Sequence, residues 1–344
     1  MWTARPSSPR RREPAIPNRN RREEQLTEQP NEEAWLDRIR GLLLGGALGD
    51  ALGAPFEGST DIDPRRLHGF LESDEVLCWT DDTAMQLAFA EHLADSAGSN
   101  HVDDDRLAGA FAQAWQAEPW RGYGANPPRI FATVLSGADW RTEAGRSFGG
   151  QGSLGNGGAM RAAPAGALPG GLPRVAEVAR RGAAITHAHP VGQDGAAVVA
   201  VAVHSGLHDT NRGEVTPEIV LQDCGRAATT AELRAAVAAA GALLDTSDPA
   251  EAARRTGNGI AAHEAVGAAL CAAARHPDDP LTAVLFAIRM GGDTDTIAAI
   301  AGSIVGAWAG ATAIPERLVA RIEQHSRIEA VAARLADATL SARR

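Results

Sequence analysis

Lysine is absent from this 344-residue sequence, so all 33 basic residues are arginine. The 43 acidic residues outnumber them and the net charge is −10. A chain so acidic lacks the dense basic face by which nucleic acid is bound. Aromatic residues are also scarce, at 4%, although 44% of the chain is hydrophobic. Much of the apolar share is Ala and Val, and an interior of such small side chains requires closely approaching backbones, which suits packed helices. Cysteine is limited to Cys78, Cys224 and Cys271, far apart and without a C-x-x-C pair. That spacing excludes a disulfide framework, disfavours a zinc site, and fits buried free thiols in a reducing, cytoplasmic compartment.

Residues 1–30 contain seven Arg, four Glu and several Pro, but no apolar segment of the kind that forms a signal peptide. The expected organisation is a disordered Arg/Pro-rich tail at 1–32 and one domain at 33–344. The stretch 296–315 carries no charge over a span-like length. Its Ala, Gly, Ser and Thr content, with Asp293 and Asp295 just before it, favours a buried helix over a membrane span. A monomer without membrane or nucleic-acid partners is expected.

The remaining pattern is helical. Trp35, Ile39, Leu42, Leu43 and Gly46 fall on one helix face, as do Met85, Ala88, Phe89, His92 and Leu93. Ala-rich helices are predicted over 175–184, 196–207, 230–244, 261–274 and 281–290. The most strand-like run, 198–203, sits in an Ala-rich context. Gly/Pro-rich loops are expected at 122–128, 145–158 and 164–173. The fold class is all-α.

Five stretches carry chemistry. Trp79-Thr80-Asp81-Asp82-Thr83 opens a predicted helix. Thr80 could simply cap it, but a hydroxyl with two carboxylates is also an oxygen donor set for a hard divalent cation. Gly291-Gly292-Asp293-Thr294-Asp295-Thr296 repeats that chemistry, with two carboxylates at i and i+2 that can converge on one ion. Together the two clusters offer four carboxylates, enough for two cations about 4 Å apart. In the run from Gly45 to Glu57, small residues at 45, 46, 49 and 53 form a thin helix face, with Asp50 inside it and Glu57 beyond Pro55. Glu57 could be a surface acid, a metal ligand or a proton-transfer group. Gly149 to Arg161 is glycine-dense enough to turn several backbone N–H groups toward an anion, though flexible loops commonly look like this. In Thr186-His187-Ala188-His189-Pro190, His187 reads as a neutral hydrogen-bonding group and His189 as structural.

Taken in order, these stretches resemble the ADP-ribosylglycohydrolase family, over about residues 39–308. The resemblance implies a compact single-domain orthogonal helical bundle with a binuclear cleft holding two Mg²⁺ or Mn²⁺ ions. It implies Thr80, Asp81, Asp82, Asp293, Asp295 and Thr296 as metal ligands, and Glu57 as a mobile loop glutamate that reaches a metal and gates the cleft. Gly152, Ser153, Gly155, Asn156 and Gly157 match the loop that holds the diphosphate and distal ribose. His187 matches a histidine near the ribose, Phe148 an aromatic that stacks on adenine, and Gly124 lies in a further substrate-side segment, Arg121-Gly122-Tyr123-Gly124. Leu154 departs from the pattern, standing where some relatives carry a tyrosine beside the adenine.

The implied activity is hydrolysis of the N- or O-glycosidic bond between ADP-ribose and a modified protein side chain or small molecule. Glu57 is the expected proton-transfer group and Asp293 its rival. A non-catalytic ADP-ribose-binding protein and a two-metal phosphohydrolase of nucleotides are the alternatives.

Overall fold

Helix-forming Ala, Leu and Arg dominate the chain between glycine- and proline-rich breaks, and the computed structural model turns nearly every such run into helix. It describes residues 31–96, 102–209 and 215–343. Sixteen α-helices and no strand occur among them. Pairing is limited to two isolated bridges, Leu77 with Ile322 and Gly155 with Ala261. The expected tail falls outside the described residues up to position 30, and the first described helix opens at Glu32.

Six helices position the cleft: α1 (Glu32–Gly53), α2 (Asp81–Ser96), α3 (Leu172–Ala184), α4 (Pro190–Asp209), α5 (Ala262–Arg275) and α6 (Thr294–Ala309). Helix α6 takes in the uncharged stretch as far as Ala309, and every residue from Thr294 to Trp308 is buried. Such an all-round buried helix belongs at a core. No helix of the described residues is long and apolar enough to cross a membrane. The strand-like valine run at 198–203 lies wholly inside α4.

Helix α1 lies against α6 through glycine. A Cβ built on Gly45 would stand 2.2 Å from the Gly302 carbonyl oxygen, and one on Gly302 would stand 2.1 Å from that of Gly45. Gly41 and Gly306 oppose each other in the same way, one helical turn back along α1 and one turn on along α6. This contact carries the C-terminal end of α1, with Asp50, to the N-terminus of α6, where Asp293 and Asp295 sit. The backbones cannot yield to a methyl group, so Gly45→Ala is expected to destabilise by about 1–3 kcal/mol. Gly69 has nothing within 4 Å of its Cβ position and lies in the Pro64–Glu72 helix. Gly69→Ala is expected to leave stability unchanged or raise it by about 0.5–1 kcal/mol. Thermal melts of the two variants check the contrast; equal behaviour would contradict the close contact.

Several helices were not legible, including Asp104–Ala117, Trp140–Gly150 and His325–Ser341. The predicted loop at 145–158 begins inside the second of these, whose last turn breaks at Ser147, Phe148 and Gly149. Cys224 and Cys271 are buried free thiols as expected, whereas Cys78 is exposed.

Candidate active site

The two Thr/Asp clusters begin two helices whose N-termini meet, so both carboxylate pairs face one cavity. In the first, Thr80 does act as a cap: its hydroxyl accepts from the Asp82 N–H at 3.3 Å. In the second, Asp293 occupies the cap position of α6, yet its side chain caps nothing. Its carboxylate instead accepts from the Asn156 side-chain amide. Ligand oxygens of Glu57, Asp293 and Asp295 lie within 4.8 Å of one another.

Glu57 arrives on a loop fixed from two sides. The Gly58 N–H donates to the Gly292 carbonyl at 2.8 Å, and the Gly292 N–H donates to Ser59 at 2.8 Å. Loop and α6 approach are thereby stitched together, and Glu57 remains exposed while Asp82, Asp293 and Asp295 are buried.

Behind the cluster lies Asp50, fully buried. It accepts from the Thr80 N–H at 3.0 Å, from the Thr83 N–H at 3.0 Å and from the Thr83 hydroxyl at 2.6 Å. It therefore shapes the turn that presents Asp81 and Asp82. The sequence showed Asp50 only as an acid within an apolar run.

So many carboxylates out of water oppose one another's ionisation. Burial, with Asp50 and Asp295 nearby, pushes Asp81 up to about 8. Burial and the adjacent Asp293 push Asp295 up to about 7. Burial pushes Asp50 up to about 6 against its three donors. Asp82 is raised well above the usual range by burial and then by its acidic neighbours. Glu57 is raised mainly by the charge of Asp295. Asp82 Oδ2 is buried with no hydrogen-bond partner among the described residues. An oxygen-only donor set with surplus negative charge and an orphaned buried oxygen fits hard divalent cations of the Mg²⁺ or Mn²⁺ kind.

The cavity has a volume of about 620 Å³. Sixteen of the residues singled out from the sequence for metal, substrate or proton-transfer roles line it, from Glu57 and Thr80 to Asp295 and Thr296, as do Gly122 and Tyr123 but not Arg121. Above the acids the wall is the 152–157 loop. Gly152 makes its first turn with φ +77°, where a Cβ would stand 2.6 Å from the His189 backbone nitrogen. The loop is pinned to the segment before α5: the Asn156 N–H donates to Ile260 at 2.9 Å and the Ala262 N–H donates to Leu154 at 3.0 Å.

Three exposed apolar side chains stand at the cavity: Phe148 (64% exposed), Leu154 (42%) and Ile260 (73%). Phe148 also holds a left-handed backbone, φ 52° and ψ 48°, which ordinarily costs a non-glycine residue about 1–3 kcal/mol. Ile260 carries no sequence signal; only the bridge beside it, Gly155 with Ala261, places it there. Tyr123 also lines the cavity, and its hydroxyl has no hydrogen-bond partner among the described residues. Arg121, two residues earlier, turns away. It pairs with Glu118 and Glu323 and stacks on Trp79, so its role is structural.

His187 is buried beside the glycine loop, and burial followed by the Arg161 charge pushes its pKa down to about 3. Burial thus favours its neutral form. His189 accepts from the Val191 N–H at 3.1 Å and thus braces the start of α4, in keeping with a structural role.

The ADP-ribosylglycohydrolase family model matches residues 31–344. Mouse ADP-ribosylhydrolase ARH3 (Mus musculus) is 33% identical over 321 residues, covering 82% of this chain and 86% of that protein. The cattle protein of the same name (Bos taurus) is 35% identical over 321 residues, covering 82% and 87%. A solved structure described as an ADP-ribosylglycohydrolase-related protein complex superimposes with a TM-score of 0.69 at 26% identity, covering 89% of this chain and 99% of that one.

Proposed function

This chain belongs to the ADP-ribosylglycohydrolase family, and we propose that its cleft hydrolyses the N- or O-glycosidic bond joining ADP-ribose to an acceptor, using two divalent cations. The observation that carries this reading is the meeting, in one cavity, of an acid cluster at the base with a glycine loop and an apolar mouth above it. The relatives named ADP-ribosylhydrolase match over most of both chains.

Asp81, Asp82, Asp293 and Asp295, with Thr80 and Thr296, would hold the cations. When bound, such ions supply Lewis acidity, orient ribose hydroxyls and acidify water. The chain's own groups do the rest. In the 152–157 loop, where the Gly152, Gly155 and Asn156 N–H groups already donate within the protein, those of Ser153, Leu154 and Gly157 are left to turn to the diphosphate. Phe148, Leu154 and Ile260 offer apolar surface to the adenine in place of a second aromatic. Asn156 bonds Asp293 and so couples the substrate loop to the acid cluster. Glu57 is assigned proton transfer to or from the reacting centre, because it alone in this acid cluster is exposed, whereas Asp293 is held by Asn156. Bond breaking at the anomeric carbon proceeds through an oxocarbenium-like state, as in other glycoside hydrolysis.

Stacking of a base on an aromatic is worth about 1–3 kcal/mol, so Phe148→Ala is expected to raise KM for an ADP-ribosyl substrate about 5- to 150-fold. Steady-state kinetics check this, and an unchanged KM would remove Phe148 from the adenine site. Chromatography of the products tests the reaction itself, with peptides ADP-ribosylated on arginine and on serine as substrates. Free ADP-ribose is expected from at least one; AMP would instead mark attack on the pyrophosphate.

A further inference from the structure

We infer that Arg161 is a positioning residue which, through Thr186, fixes His187 as an Nε2–H donor aimed at a ligand oxygen between Gly155 and Gly157. This rests on the reading of the cleft as an ADP-ribosyl site, and it assigns work to Arg161 and Thr186, which that reading leaves idle.

Arg161 is 1% exposed, and its hydrogen bonds go to carbonyls and a hydroxyl, with no acid among them. Its guanidinium donates to the Gly157 carbonyl at 2.8 Å, the Gly182 carbonyl at 2.9 Å and the Thr186 hydroxyl at 2.7 Å. Its face lies over the Phe111 ring, 4.5 Å from the centroid. One planar fork thus ties the glycine loop, the end of α3 and Thr186 together, a geometry an ammonium cannot copy.

The Thr186 hydroxyl is itself buried and stands 2.7 Å from His187 Nδ1. One of its lone pairs is taken by Arg161. Were Nδ1 protonated, the hydroxyl would accept twice and its own proton would be left without an acceptor in a buried place, which is unfavourable. The Thr186 hydroxyl therefore donates to Nδ1. A neutral imidazole that accepts at Nδ1 carries its hydrogen on Nε2.

The direction of Nε2 is set by what surrounds it. A Cβ on Gly157 would stand 3.0 Å from Nε2, and one on Gly155 would stand 3.5 Å from it. Side chains at those positions would cover the donor; glycines leave it open to the cavity. His187 is thus a fixed hydrogen-bond donor and not a base.

Long-range ¹H–¹⁵N NMR of histidine-labelled protein tests this directly, with His187→Asn used only to assign the signal. The expected result is a pyridine-like Nδ1 and a protonated Nε2, unchanged between pH 6 and 8, with the Nε2–H signal moved by added ADP-ribose. Thr186→Val, near-isosteric, is expected to yield mixed tautomers and a KM about tenfold higher with kcat less affected, the loss of one well-placed hydrogen bond. Arg161→Lys is expected to shift both readouts the same way. A protonated Nδ1 or an imidazolium in the unsubstituted protein overturns the inference, as does an unchanged tautomer and KM in Thr186→Val. The expected tautomer without release of ADP-ribose from any substrate would refute the hydrolase reading and leave the Arg161–Thr186–His187 relay standing.

Discussion

Replacing Asp295 by Asn is expected to abolish turnover and, in metal-free protein at pH 8, to raise the melting temperature. The two effects share one cause. Asp295 lies with Asp293 and Glu57 in a cluster whose oxygens are within 4.8 Å of one another, and burial and Asp293 push its carboxyl up to about 7. At pH 8 the metal-free site holds charges that repel and are poorly solvated. Removing one relieves the fold and removes a cation ligand at once. Partners one step removed from a metal already cost about 10- to 100-fold when changed, so loss of a ligand should exceed that range. Kinetics and thermal melts of the same variant decide it. A variant that keeps full activity, or that melts lower than the parent without metal at pH 8, would contradict the cluster's assigned role.

Above about pH 6.5, where the buried His187 and His204 no longer gain a proton on unfolding, the melting temperature of metal-free protein is expected to fall as pH rises toward about 8, and Mg²⁺ or Mn²⁺ is expected to cancel most of that fall. The sign follows from proton uptake. Asp50, Asp295 and Asp81 are raised in the fold to about 6, 7 and 8, so between their unfolded values and these the folded chain holds more protons. Stability is therefore full below the unfolded carboxylate range and is lost as pH climbs through the folded values. Raising one carboxyl's pKa tenfold in proton affinity corresponds to about 1.4 kcal/mol. The carboxyls act on one another, so their effects do not simply add, and a loss of about 2–3 kcal/mol, or several degrees, is the scale expected. A cation at about 100 times its Kd returns about 2.7 kcal/mol per site. Melts across pH with and without metal check both halves. A pH-independent melt, or a metal response as large at pH 5 as at pH 8, would contradict the electrostatic account.

The two Thr/Asp stretches were legible because each puts unusual residues at a helix start, and a helix start is a place sequence marks well. Asp81, Asp82, Asp293 and Asp295 are local features of this kind, and the structure brings them to one wall. The small-residue face of α1 was legible too, although its partner on α6 was not, since nothing local says that Gly45 meets Gly302. What stayed hidden depends on such long-range contacts. Asp50 looked like an oddity until Thr80 and Thr83 were seen to donate to it. Ile260 is one isoleucine among many until the bridge at Gly155 places it at the cleft. Arg161 closed a glycine-rich run without a visible task, because its acceptors lie up to 25 residues away. Arg121 sat in a promising segment, yet Glu118 and Glu323 claim it.

The central claim is that paired cations in the acid cluster drive glycosidic release. Protein stripped with chelator and returned to Mn²⁺ in steps tests it most directly, with bound metal and free ADP-ribose from a modified peptide measured on the same samples. Release should be absent without metal and should grow as two equivalents bind. Full-rate release from protein shown to hold no metal would contradict the account.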